Sequence, residues 1–167
     1  MKHILLSMLA LSALAMLSCK KKDGPVVPLP AYSVPNMNGG TCTPKDIEGK
    51  KAIVEIWSLR CPHCRHQAKY LEELAKDLDF SKYAIVSIHA MGGEAKKDEV
   101  AKHFKNKKIQ VCLDNGSFIK SLRTLPRKYQ VRGIPHLFMV KANGEISEVL
   151  RGARPAATLK EKLEALK

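Results

Sequence analysis

Apolar residues along this chain repeat with the period of a strand, then with that of a helix, and the alternation recurs to the C-terminus. Ala52-Ile53-Val54-Glu55-Ile56-Trp57 is β-rich and almost continuously apolar, the pattern of a strand buried on both faces. Beyond Cys61 the period changes, and Ala68, Leu71, Leu74, Ala75 and Leu78 fall on one side of a helix. Tyr83 to His89 predicts a second buried strand, and Glu94 to Phe104 an exposed, lysine-rich helix. Ile109 to Leu113 reads as a short strand closed by Asp114-Asn115-Gly116. Ser117 to Tyr129 predicts another helix, which Pro126 interrupts or ends because proline lacks the amide donor. Ile134 to Val140 and Ile146 to Leu150 flank Lys141-Ala142-Asn143-Gly144, and Asn-Gly is a strong hairpin signal. A last helix places Ala156, Leu159, Leu163 and Leu166 on one side. This order implies an α/β domain with a central mixed β-sheet covered by helices on both faces.

The first residues depart from that pattern. Met1-Lys2-His3 is a short basic start, and the apolar run from Ile4 to Leu17 is shorter than the roughly 20 residues that span a bilayer. It predicts a signal peptide over residues 1–18. Ala15-Met16-Leu17-Ser18-Cys19 resembles the lipobox of bacterial lipoproteins, with Met16 where the pattern prefers leucine. The resemblance implies that Cys19 heads the mature chain and carries lipid. An ordinary cleaved signal or a short anchor is the alternative, and either one implies export to a compartment where disulfides persist. Pro25, Pro28, Pro30 and Pro35 exclude a helix or central strand, so residues 19–35 are expected to form a lipidated, extended tether and residues 36–167 the folded domain.

The charge adds a partner class. The chain has 29 basic and 16 acidic residues, a net charge of +13. Its lysines are scattered and aromatics are only 5%, so the stacking platforms of single-strand nucleic-acid binders are missing and no nucleic-acid partner is expected. Attraction to anionic lipid or acidic partners fits an exported chain better, and Lys20-Lys21-Lys22 beside the lipid site would add to adhesion at a membrane surface.

Cys61-Pro62-His63-Cys64 stands where the strand gives way to the helix. A thiol at a helix N-terminus is favoured as thiolate, the nucleophilic form, and a second thiol one turn on can resolve the mixed disulfide. Cys61 is therefore the candidate nucleophile and Cys64 the resolver. Arg60, Arg65, His63 and His66 add positive charge or donors around Cys61, which leans the pair toward oxidising behaviour.

Two segments, Val54-Glu55-Ile56-Trp57-Ser58-Leu59-Arg60-Cys61-Pro62-His63-Cys64 and Tyr129-Gln130-Val131-Arg132-Gly133-Ile134-Pro135, resemble the signature segments of the thioredoxin superfamily. With the lipobox and Gly49-Lys50, the chain most resembles the exported TlpA-like thiol-disulfide oxidoreductases, from about Asn36 to the C-terminus. The resemblance implies a thioredoxin fold with an N-terminal hairpin extension, and a cis Pro135 opposite the cysteine pair. It implies that the Ile134 backbone pairs with an extended substrate, and that Arg60, Trp57, Pro62 and His63 contribute to the substrate surface. Glu55 matches the position of a buried acid beneath the resolving cysteine, where a carboxylate could take the Cys64 proton; an edge-facing strand residue is the alternative. Expected partners are thiols or disulfides of exported proteins and a membrane thiol-disulfide electron donor or acceptor. A location on the periplasmic or cell-envelope side, no cofactor and a monomeric chain are expected. Arg60 replaces the tryptophan usual before the first cysteine. Pro62-His63 resembles the strong oxidant DsbA, whose large helical insertion this chain has no room for, so motif and scaffold point in opposite directions of electron flow.

Rival chemistries fit less well. A zinc site built on Cys61, Cys64 and His66 lacks a second well-spaced pair, and covalent haem would need histidine where Arg65 stands. A peroxiredoxin-like peroxidase would have proline at the position of Val54, although Ser58 fits its pattern. A non-catalytic module that holds a cytochrome or copper-handling partner is the remaining alternative. Cys112 is expected as a buried apolar residue and Cys42 as a more exposed one in the hairpin, with a bridge between them open.

Overall fold

The computed structural model describes residues 25–167. The expected signal peptide, Cys19 and the lysines beside it lie outside the described residues. Among the described residues no helix is long and apolar enough to cross a membrane.

A five-stranded sheet organises the domain. Its strands are β3 (Lys51–Trp57), β4 (Tyr83–His89), β5 (Gln110–Leu113), β6 (His136–Val140) and β7 (Ile146–Arg151), in spatial order β5-β4-β3-β6-β7. Pairs β3–β4 and β4–β5 are parallel, whereas β3–β6 and β6–β7 are antiparallel, so the sheet is mixed as expected. Helices α1 (Pro62–Asp77), α2 (Lys97–Ala101), α3 (Ser117–Ser121) and α4 (Ala156–Glu164) cover it.

The central strand β3 explains its own apolar run. Ala52, Val54 and Ile56 face one core with Tyr32, Phe118, Leu122 and Phe138, while Ile53 and Trp57 face another with Leu71, Leu159, Leu163 and Met139. α1, α2 and α4 supply the second core, and α3 belongs to the first. α1 starts where Pro62 occupies an early helical position, whose missing amide would have had no partner anyway. It ends as Leu78 turns extended and buries its side chain. At the other end of the sheet Gly144, at φ +84°, makes the tight turn between β6 and β7.

The structure bears on three expectations. The helix foreseen over 94–104 shortens to a 3-10 turn, Gly93–Lys96, followed by α2, because Gly92 and Gly93 both take positive φ at its start. The helix foreseen over 117–129 ends with a 3-10 turn at Thr124, ahead of Pro126, the residue expected to end it. Its first turn is secured by buried Asp114, whose carboxylate accepts the amides of Phe118 and Ile119 at 3.1 Å each.

The third concerns residues 27–35, expected as part of the tether. They are extended, as their prolines require, but Val27, Leu29, Tyr32 and Val34 are buried in the first core. The Ile146 amide donates to the Val27 carbonyl and the Leu29 amide to Gly144. Prolines forbid a central strand but neither edge pairing nor burial of the apolar residues between them, so the packed domain begins earlier than position 36.

The chain then forms the hairpin of β1 (Val34–Pro35) and β2 (Thr41–Cys42) beside the edge strand β5. The Met37 amide donates to the Val111 carbonyl at 2.8 Å, and the Asn36 amide group to Gln110 Oε1 at 2.6 Å. Cys42 and Cys112 form a disulfide with Cα atoms 6.0 Å apart, and both are buried. Cys42 is thus not an exposed thiol, and Cys112 is not a lone apolar one. The bridge fastens a covering element over an edge that would otherwise present unpaired backbone groups.

Candidate active site

Cys61 and Cys64 sit at the C-terminal end of β3, where the strand hands over to α1. Cys61 is the extended residue that caps α1, and its Sγ accepts the Cys64 amide at 3.2 Å. Both thiols are free; Cys61 is half-buried and Cys64 is buried. An outer and an inner sulfur follow directly from the helix geometry, since one turn carries the chain from the rim into the α1 face of the sheet.

The backbone around them is held from several sides. The Cys61 amide donates to the Ser58 carbonyl at 3.1 Å, the Leu59 amide to His89 Nε2 at 3.2 Å, and Arg65 Nη1 to the Leu59 carbonyl at 3.1 Å. Across the rim, the Ile134–Pro135 peptide is cis. The Cys61 thiol donates to the Ile134 carbonyl at 3.5 Å, which brings the two signature segments together. The Gly152 amide donates to the Pro135 carbonyl at 2.9 Å, and the Arg154 amide to Gln67 Oε1 on α1 at 2.7 Å, so this loop is tied to the rest of the rim.

Glu55 is completely buried in the central strand, not at an edge, and it shares the α1 face of β3 with Ile53 and Trp57. Its Oε2 accepts the Ser87 hydroxyl at 2.6 Å. Burial pushes its pKa up to about 8, and the Ser87 hydrogen bond offsets only part of that. Burial also pushes the Cys64 thiol well up; the hydrogen bond to Cys61 adds to this, and the charges of Cys61 and Glu55 act in the same direction. Such a thiol needs a base to become nucleophilic near neutral pH, and a carboxyl titrating near 8 is matched to that task.

Arg60, Pro62 and His63 are exposed on the rim, where a substrate can reach them. Trp57 is not. It is completely buried, with its ring edge-on to His89, His103 and Phe104 at centroid distances of 5.2, 5.8 and 5.4 Å. A residue of β3 with the parity of Ile53 must point into the core, so Trp57 supports the strand from beneath and offers nothing to a substrate. Beside Arg60, a groove of about 270 Å³ is lined by Leu59, His89 and Met91 among others, and Met91 is 70% exposed.

His136 follows Pro135 but shares the parity of Phe138 and Val140, so it enters the core on the opposite face from Cys64. Its ring lies 4.7 Å from that of Phe138, and burial, then the Arg151 charge, lowers its pKa to about 4. Ser87, Gln67 and His89 went unrecognised in the sequence. Only the strand parity of Ser87 opposite Glu55, and the position of Gln67 one turn after Cys64, could have singled out the first two.

Residues 26–149 match the AhpC/TSA family. Among curated proteins, the chain is 26% identical over 108 residues to the thiol-disulfide oxidoreductase ResA of Oceanobacillus iheyensis, covering 65% of this chain and 53% of that one. It is 27% identical to ResA of Bacillus thuringiensis over 139 residues, 81% of this chain and 72% of that protein. The chain thus spans about half the length of the first relative and under three quarters of the second. Among solved structures, the exposed lipoprotein thioredoxin of Streptococcus pneumoniae superposes with a TM-score of 0.68 at 22% identity, covering 82% of this chain and 100% of that one. A thiol:disulfide interchange protein from Bacteroides sp. gives 0.67 at 23% identity, covering 86% and 93%. These likenesses establish the thioredoxin fold.

Proposed function

Since the chain belongs to the AhpC/TSA family, as a TlpA-like member of the thioredoxin superfamily, we propose that it is an enzyme exchanging thiols and disulfides on exported proteins. The observation that carries this reading is the pairing of a half-exposed Cys61 thiol, 3.5 Å from the Ile134 carbonyl, with a buried Cys64 one helical turn behind it. The names of these relatives, thiol-disulfide oxidoreductase and exposed lipoprotein thioredoxin, support the same activity and an envelope location. Cys19 is the proposed lipid site that holds the chain at a membrane on the exported side.

In the reducing direction, the Cys61 thiolate attacks a substrate disulfide. A Cys61–substrate S–S bond forms, the substrate S–S bond breaks, and one substrate thiolate leaves. The Glu55 carboxylate takes the Cys64 proton, and the Cys64 thiolate attacks Cys61 Sγ. The Cys61–Cys64 disulfide forms as the second substrate thiolate leaves, so the substrate gains the two electrons that the enzyme loses. The oxidising direction is the reverse. In either direction the extended substrate segment lies along the Ile134–Pro135 backbone, with Arg60, Pro62 and His63 at the rim.

The test is the reduction potential of the Cys61–Cys64 pair against glutathione, together with insulin reduction. A potential near about −270 mV makes the protein a reductant and one near about −120 mV an oxidant. A pair that forms no reversible disulfide, or insulin that stays oxidised alongside rapid peroxide consumption, would reject the proposal.

A further inference from the structure

Four cations stand on one side of the loop that carries Pro135. Arg127, Lys128, Arg132 and Arg151 are all exposed and line an open trough of about 630 Å³. The backbone ties this trough to the cysteine pair. Arg151 faces His136 across β6 and β7, the Gly152 amide donates to the Pro135 carbonyl, and the Cys61 thiol donates to the Ile134 carbonyl.

The cluster is held in place. Arg151 Nη2 donates to the Lys128 carbonyl at 2.8 Å, and Lys128 Nζ lies 4.5 Å from the centre of the Tyr129 ring. Among the described residues none of the four forms an ion pair; the carboxylates that pair do so with Lys82, Lys96, Lys141 and Lys162. The flank of α1 differs, because its cations Arg65, Lys69, Lys76, Lys102 and Lys105 share a hollow with Glu72 and Glu73. Gathering like charges without a counter-charge raises the energy of the folded chain, and an anion from outside removes that penalty.

Resting on the thiol-disulfide reading, we infer that the exchange partner is a protein presenting an acidic segment, which lies across Arg127, Lys128, Arg132 and Arg151 while its sulfur meets Cys61. A polypeptide is favoured over a lipid surface because the trough continues the Ile134–Pro135 backbone, whereas the N-terminal segment joins the domain beside Gly144, at the other end of β6. The chain therefore enters the domain at the end away from the trough. The acidic segment supplies attraction and orientation, raising the rate of encounter more than the final affinity.

The test uses the Cys64→Ser chain with Cys61 reduced, and two peptides of one sequence whose single cysteine carries a mercaptoethanol disulfide. One peptide is flanked by glutamates and the other by glutamines. Cys61 forms a disulfide with the peptide sulfur and mercaptoethanol leaves as thiolate, so each reaction is followed as peptide adduct by mass. At low ionic strength the glutamate peptide is expected to react about tenfold faster, with the advantage shrinking as salt is added. Arg127→Glu with Arg132→Glu should bring the ratio near one. Lys45→Glu with Lys107→Glu makes the same charge change at the other end of the sheet and should keep the ratio. Equal rates for the two peptides, or equal loss in both double variants, would overturn the inference. So would flotation on phosphatidylglycerol vesicles that Arg127→Glu with Arg132→Glu abolishes, if the peptides are not distinguished. If neither peptide reacts, the thiol-disulfide reading fails and this inference falls with it.

Discussion

The described residues hold two pairs of cysteines of the same chemistry and opposite disposition. Cys42 and Cys112 are 70 residues apart, buried and bonded, and they lie between a short hairpin and the edge of the sheet. Cys61 and Cys64 are one helical turn apart, free, and set at the rim with one sulfur half-exposed. The first pair closes a long loop and has no path to a partner. The second closes almost no loop, so bonding it restricts the chain little, and its outer sulfur faces solvent and a backbone carbonyl. What separates a fastener from a reagent is where the fold places the sulfur and what stands beneath it.

The widest gap should appear on removing one sulfur from each pair. Cys61→Ser is expected to lower exchange by at least about a thousandfold, as loss of a nucleophile does, while Cys64→Ser accumulates a mixed disulfide visible by non-reducing electrophoresis. Equal activity of the two variants would break the division of roles. Replacing Cys42 and Cys112 together by alanine should instead cost about 4 kcal/mol of stability, from the chain entropy of a 70-residue closure, with exchange retained below the lowered melting point. Urea unfolding under oxidising conditions measures it, and an unchanged midpoint would show that the bridge contributes nothing.

Next comes the acid beneath the reactive pair. Glu55→Gln should slow resolution of the mixed disulfide about a hundredfold in single-turnover assays, as for other positioned proton acceptors. The same variant has a stability signature. The folded pKa of Glu55 is raised from 4.5 to about 8, so its contribution is complete below 4.5 and is lost as pH rises through 8. Melting temperatures of the wild type should therefore decline across that window more steeply than those of Glu55→Gln. His136 has the opposite sign. Its pKa is lowered from 6.5 to about 4, so its contribution is present above 6.5 and is lost as pH falls through 4. His136→Leu should flatten the acid limb by about 3 kcal/mol.

The sheet and the placement of Cys61 and Cys64 at the strand-to-helix junction were legible in the sequence because both are written locally. A doubly buried strand must be apolar along its buried stretch, and from Ala52 to Trp57 β3 is, apart from Glu55; a Cys-x-x-Cys with proline just inside the helix needs nothing distant to be recognised. Trp57 was misassigned because likeness to a signature segment says that a residue is near the site, and only strand parity says which way it points. The bridge between Cys42 and Cys112 was undecidable from spacing, since it depends on the hairpin docking against β5. The segment over 27–35 was misjudged because prolines advertise extension so strongly that the alternating Val27, Leu29 and the later Tyr32 and Val34 were passed over.

That N-terminal segment also sets a direction. It joins the sheet beside the turn at Gly144, where β6 ends, whereas Cys61 lies past the C-terminal end of β3, which runs antiparallel to β6. The seven residues of β3 put roughly 20 Å between the two ends. If the proposed lipid at Cys19 anchors the chain, the domain presents its thiols from the pole opposite the one that residue 25 enters.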